Sequence, residues 1–112
     1  MARYQYVVMT NAVEGREDEY NEWYTNTHLR EVLEIPGFKS AVRYKVVQRP
    51  KAAFKPAQRY LALYEMETDN VEATLAELSR RSGAGELATS TALDRSTTTA
   101  VLYEYVAERK AK

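Results

Sequence analysis

The 112-residue chain contains no cysteine and one histidine, His28. Without cysteine there are no disulfides, no thiolate nucleophile and no cysteine metal site. A single histidine rules out a multi-histidine zinc or iron centre within one subunit. Sixteen basic residues balance sixteen acidic ones, so charge gives no reason to expect nucleic acid or an anionic membrane as partner. No apolar run approaches the roughly 20 residues of a membrane span. The opening Met-Ala-Arg-Tyr-Gln-Tyr-Val-Val lacks the layout of a secretory signal, and cytoplasmic residence is the default expectation. Near-zero net charge also weakens colloidal repulsion and permits self-association.

What is abundant is tyrosine, nine residues in a chain that is 45% hydrophobic and 29% charged. That is the composition of an ordinary globular domain, and the length suits one modest core over residues 1–112. Residues 4–10 are aromatic and β-branched and predict a strand. From Arg16 the period changes: Tyr20, Trp23, Tyr24 and His28 recur on one helical face. Glu17, Asp18 and Glu19 crowd the first turn, where the helix dipole favours negative charge. A second short helical piece is expected over 28–34, with Thr27 as its N-cap, stopped by Pro36-Gly37.

Residues 38–47 alternate. Phe38, Ser40, Val42, Tyr44 and Val46 are expected on one face, Lys39, Ala41, Arg43 and Lys45 on the other. Residues 48–57, with Pro50 and Pro56, predict a basic loop. Residues 59–67 form a third strand whose two faces are both largely apolar. A second helix follows, capped by Asp69 or Asn70, with Val71, Leu75 and Leu78 as its apolar stripe and Ser82-Gly83-Ala84-Gly85 as its end. Residues 86–95 show no clear period. Residues 97–106 predict the last strand, with a frayed tail beyond.

The order β-α-β-β-α-β is that of a ferredoxin-like α+β fold, with both helices on one face of a four-stranded antiparallel sheet. Seven of the nine tyrosines fall on predicted strands, so the other sheet face also carries apolar and aromatic residues. Pairing two such sheets face to face would bury it, and a homodimer is the economical expectation.

The segment Glu19 to Phe38, with Trp23-Tyr24, His28, Pro36 and Gly37, resembles the signature of EthD-like proteins in the dimeric α/β-barrel superfamily. The resemblance is strong in the first half of the chain; the second half agrees in element order. It implies a homodimer with one small-molecule pocket per subunit, between sheet and helices, into which the histidine points. Members of that superfamily include cofactor-independent monooxygenases, cyclases, isomerases, dehydratases and heme-handling enzymes, so fold analogy does not choose the chemistry.

His28 is the natural general acid or base, and Tyr24, four residues earlier, its orienting or oxyanion-stabilising partner. The competing reading is that His28 merely hydrogen-bonds the helix break. Trp23 is expected in the core or as a pocket wall, and Tyr6, Tyr44, Tyr64 and Tyr103 are the strand tyrosines expected to reach substrate. Arg43 and Arg59 read as surface residues more readily than as anion binders, and Asn21 and Asn26 as helix-end residues. No dinucleotide fingerprint, phosphate loop, serine elbow or metal spacing occurs. The leading expectation is a small enzyme, without cofactor or metal, acting by acid/base chemistry on a hydrophobic, aromatic or polyketide-like carbonyl compound (a cyclase, dehydratase, isomerase or lyase). A cofactor-free monooxygenase and a non-enzymatic ligand-binding or stress-associated dimer are the alternatives. A heme-binding protein is a third, with His28 as the one available histidine ligand.

Overall fold

A computed structural model describes residues 1–112. The chain runs β1 (Ala2–Ala12), α1 (Glu17–Trp23), a π-helical turn (Tyr24–His28), α2 (Leu29–Leu33), β2 (Phe38–Lys45), β3 (Tyr60–Thr68), α3 (Val71–Gly83) and β4 (Leu93–Glu104). The strands form one sheet in the order β2-β3-β1-β4, with every neighbouring pair antiparallel. Each crossover therefore skips one strand position, as the β-α-β-β-α-β order requires. Residues from α1, α2 and α3 pack on the same sheet face, against Tyr60, Ala62, Tyr64 and Met66 of β3. This is the expected ferredoxin-like α+β architecture. No helix is long and apolar enough to cross a membrane.

Three local features differ from the sequence expectation. The helix does not break at Thr27: backbone angles stay helical through His28 and Leu29, and no side chain caps the second piece. The chain instead widens by one residue, and the Leu29 N–H bonds to the Tyr24 carbonyl five residues back. Strand β4 begins at Leu93, four residues before the expected start, and β1 extends to Ala12. At α3 the choice between caps resolves to Asn70, whose side chain accepts from the Ala73 N–H at 3.0 Å.

The third difference lies in β2. Phe38 pairs with Met66 and Ser40 with Glu65, so a bulge interrupts the ladder between them. One extra residue flips everything beyond it. Phe38 thus faces the helices together with Ala41, Arg43 and Lys45, whose partners are Tyr64, Ala62 and Tyr60. Ser40, Val42 and Tyr44 face away. Just before the bulge, Gly37 has φ +104, and a Cβ there would stand 2.9 Å from Thr74 Cγ2. Only glycine lets the entry to β2 pass this close to α3.

The open sheet face is apolar across its centre. Val42, Leu63, Val7 and Val101 are consecutive partners and form one row over all four strands. Nothing in the chain covers this row. The molecule is accordingly a slab of 43 × 42 × 23 Å with a radius of gyration of 15.2 Å, against about 13 Å for a compact domain of this length.

Candidate functional site

The π-helical turn builds the site. Its wider winding sets Tyr24 and His28 against the sheet with Trp23 beside them. The His28 ring stacks on Trp23 (centroids 4.9 Å, 29°) and meets Tyr24 edge to face (5.0 Å, 81°). Trp23 is itself anchored, its indole N–H donating to the Ala88 carbonyl at 3.1 Å. Tyr24 is buried, and its hydroxyl accepts from the Tyr64 hydroxyl at 3.1 Å. His28 Nδ1 is buried with no hydrogen-bond partner. The reading in which His28 serves to bond the helix break therefore finds no bond to support it.

Trp23, Tyr24 and His28 form one wall of a cavity of about 130 Å³. Val8 and Thr10 of β1 supply the floor, Leu93, Arg95 and Thr98 of β4 the far side, and Leu87–Thr89 a covering loop. Apolar surface predominates, with a few hydroxyls and one cation, the usual make-up of a small-molecule site.

Burial pushes the His28 imidazolium down to about 4; Glu31 opposes the shift and Arg43 adds to it. Burial pushes the Tyr24 phenol up to about 12, only partly offset by the Tyr64 hydrogen bond. Tyr64 also lies above the usual phenol range, chiefly through burial. At neutral pH the site thus holds an uncharged imidazole, a weaker base than a free one, beside phenols that keep their protons and can donate hydrogen bonds.

A second cluster lies behind the cavity. The Arg43 guanidinium carbon sits 4.4 Å from the Tyr24 ring centroid, 5.2 Å from Tyr20 and 5.3 Å from Tyr60. Its Nη1 donates to Thr25 Oγ1 at 2.8 Å, while Nη2 is buried without a partner. Tyr20 shares a hydrogen bond with Thr10, and Tyr60 donates to Glu17, which also lies 3.4 Å from Lys45 and 3.6 Å from Arg59. The Tyr60 bond is the main reason the Glu17 carboxyl is held below its ordinary range.

The expected site residues part company in space. Trp23, Tyr24 and His28 come together on the cavity wall. Tyr64 reaches it through the Tyr24 hydroxyl. Tyr6 faces the helices beside Tyr64, with centroids 6.4 Å apart. Tyr44 and Tyr103 are not part of this group: they project from the open face, 55% and 56% exposed. For Tyr44 the reason is the β2 bulge; for Tyr103 it is its pairing with Gln5, on the outward side of β1. Asn21 does not cap the helix but donates to the Tyr60 hydroxyl at 3.2 Å, and Asn26 is exposed. Sequence reasoning missed the 87–89 loop, which has no period to read, and the inward turn of Arg43.

The fold is a ferredoxin-like layer of helices on a four-stranded antiparallel sheet, and solved structures resemble it along nearly all of its length. The heme degrader MhuD from Mycobacterium tuberculosis, with two hemes bound in its active site, is 14% identical; the match covers 96% of this chain and 99% of that one, with a TM-score of 0.66. A candidate monooxygenase from Shewanella loihica PV-4 is 11% identical over 96% and 99% of the two chains, with a TM-score of 0.63. An EthD family protein from Bacillus halodurans C-125 is also among the similar structures, 13% identical over 95% and 100%, at a TM-score of 0.48; the fold rests on the first two. No family model and no curated protein matches the sequence.

Proposed function

We propose that the chain is a small enzyme that removes a proton from carbon next to a carbonyl group, with His28 as the base and Tyr24 as donor to the oxygen. The observation that carries this reading is the placement of His28: its Nδ1 is buried without a protein partner, on a cavity wall shared with Tyr24. A buried imidazole left unpartnered is costly unless another group completes it. In the proposed step His28 takes the proton, and the electron pair of the C–H bond moves onto the carbonyl oxygen. The Tyr24 hydroxyl donates to that oxygen, with the Tyr64 hydroxyl bonded behind it. The imidazolium then returns the proton to carbon, or to a leaving oxygen, giving isomerisation, cyclisation or elimination.

The chemistry needs no resident cofactor, and the substrate is a small hydrophobic or aromatic carbonyl compound. A cavity of about 130 Å³ is well below the roughly 300–1,000 Å³ of pockets that bury drug-sized ligands, which favours a small substrate. The candidate monooxygenase among the similar folds supports a second outcome for the same enolate, reaction with dioxygen. A homodimer formed through the apolar open face, with one such cavity in each subunit, and cytoplasmic residence complete the reading.

Deuterium wash-in tests it without knowledge of the final product. A panel of 1,3-dicarbonyl and hydroxyaryl ketone compounds is incubated in D₂O with the protein, and α-carbon exchange is followed by NMR. His28→Ala is expected to slow exchange by about 10²–10⁴-fold, the usual contribution of a positioned base. Equal exchange by the variant and the parent would remove His28 from the role. Ligand binding with no exchange would favour a binding protein, and oxygen uptake with exchange would favour the oxygenase outcome.

A further inference from the structure

Arg43 has the pattern position of a surface residue, yet it is enclosed. Three tyrosine faces surround its guanidinium at 4.4–5.3 Å, an arrangement that offsets part of the cost of desolvating a cation. Its one side-chain hydrogen bond goes to Thr25, the second residue of the π-helical turn. Nη2 makes no hydrogen bond of ordinary geometry, a cost that a merely solvated arginine would avoid, although the guanidinium lies close enough to the Tyr20 hydroxyl to favour its ionised form. Arg43 does not line the cavity, but one of the tyrosines around it does, and a second is bonded to a lining residue. Tyr24 is on the wall, and Tyr20 is bonded to Thr10 on the floor.

We propose that Arg43 is a positioning residue of the His28–Tyr24 site. From β2 it clamps the π-helical turn through Thr25, fixes the Tyr24 ring, and places a positive charge behind the hydroxyl that meets an anionic oxygen in the cavity. The planar fork suits both tasks, since one nitrogen holds Thr25 while the face of the group lies on the aromatic rings. The inference rests on the reading of His28 and Tyr24 as the site. Other charges near the ring are Glu31 on α2 and Arg95 across the cavity on β4, while Glu17, Lys45 and Arg59 gather at the Tyr60 end of the cage.

The test uses the fact that the chain has one histidine and one tryptophan, so the proton signals of the His28–Trp23 stack are unambiguous. Arg43→Gln, Arg43→Lys and Thr25→Val are compared with the parent by NMR titration of the His28 ring and by the nuclear Overhauser contact between the two rings. Arg43→Gln is expected to move the His28 titration upward, because a cation that disfavours imidazolium is gone, and to weaken the ring contact. Arg43→Lys should keep the titration while weakening the contact, and Thr25→Val should do the same. Equal titration shifts in the Gln and Lys variants would overturn the proposal, as would a folded Arg43→Gln protein unchanged in both readouts. If the Gln variant does not fold, an unchanged ring contact in Thr25→Val overturns it. None of these readouts uses substrate, so failure of the deuterium assay and failure of the clamp are distinguishable.

Discussion

Both faces of the sheet have an apolar centre, Ala62, Met66 and Phe38 on the covered side, and they differ in the polar groups they carry. The face beneath the helices should be the drier one, yet it holds Thr10, Tyr6, Tyr60, Tyr64 and Arg43, with Tyr20, Tyr24 and His28 lowered onto it. The face that nothing in the chain covers carries the row Val42, Leu63, Val7 and Val101. Hydroxyls, a cation and an imidazole under a helix call for many hydrogen bonds, and most of them are made. The exceptions, His28 Nδ1 and Arg43 Nη2, are the groups given functional parts above. The contrast is between a face that gathers buried polar groups beneath the helices and a face whose apolar row is left open.

The largest expected effect breaks the open face. Leu63→Glu places a carboxylate in the centre of the apolar row and should weaken a face-to-face dimer by about 4 kcal/mol, roughly a thousandfold in Kd. Sedimentation over a concentration series reads this directly, with circular dichroism checking that the subunit still folds. An unchanged dimer would place the interface elsewhere.

A smaller effect sharpens the covered face. His28 titrates from an ordinary value of 6.5 down to about 4 in the folded chain, so between those values the unfolded chain binds more protons. Stability is then fully present above pH 6.5 and falls as pH drops toward 4. The loss attributable to His28 is about 2–3 kcal/mol. Urea titrations at pH 7 and pH 4 should show it, and His28→Gln should remove that part of the difference. A variant with the same pH dependence as the parent would show that other groups account for it.

The smallest effect concerns the phenol pair. Tyr24→Phe strands the Tyr64 hydroxyl and should cost about 1–2 kcal/mol, whereas Tyr24→Phe with Tyr64→Phe removes both partners and should cost less than the single change. Urea midpoints of the parent, Tyr24→Phe, Tyr64→Phe and the double variant close the cycle. A double variant less stable than the single one would show that the two hydroxyls are not each other's main support.

The element order was legible in the chain because each segment's pattern agrees with its local propensity: an apolar and aromatic run in β3, a 3.6-residue stripe in α3, an acidic first turn in α1. Trp23, Tyr24 and His28 could be grouped because they share one helical stretch, where spacing predicts proximity. The face of β2 could not be read. Its alternation looks unbroken from Phe38 to Val46, and the bulge that reverses it depends on how Gly37 passes Thr74 on another element. The same slip hid Arg43 and misplaced Tyr44. Thr27 reads as a cap by residue type, yet tertiary packing keeps the helix continuous and absorbs the extra residue as a π turn.

The bulge between Phe38 and Ser40 has a consequence beyond aiming side chains. Strand β2 is one of the two sheet edges, and an unpaired edge is a template on which further chains can add indefinitely. The bulge disturbs the regular ladder at one end of that edge, and Lys39 and Lys45 place charges along it. β4, the opposite edge, has its own irregularity where β1 shifts register between Met9 and Asn11. With both rims blunted, growth by strand addition is disfavoured. Contact through the flat face, as in the proposed dimer, would close on itself at two copies. The irregularity that delivers Arg43 to the tyrosines therefore also favours a finite particle over a fibre.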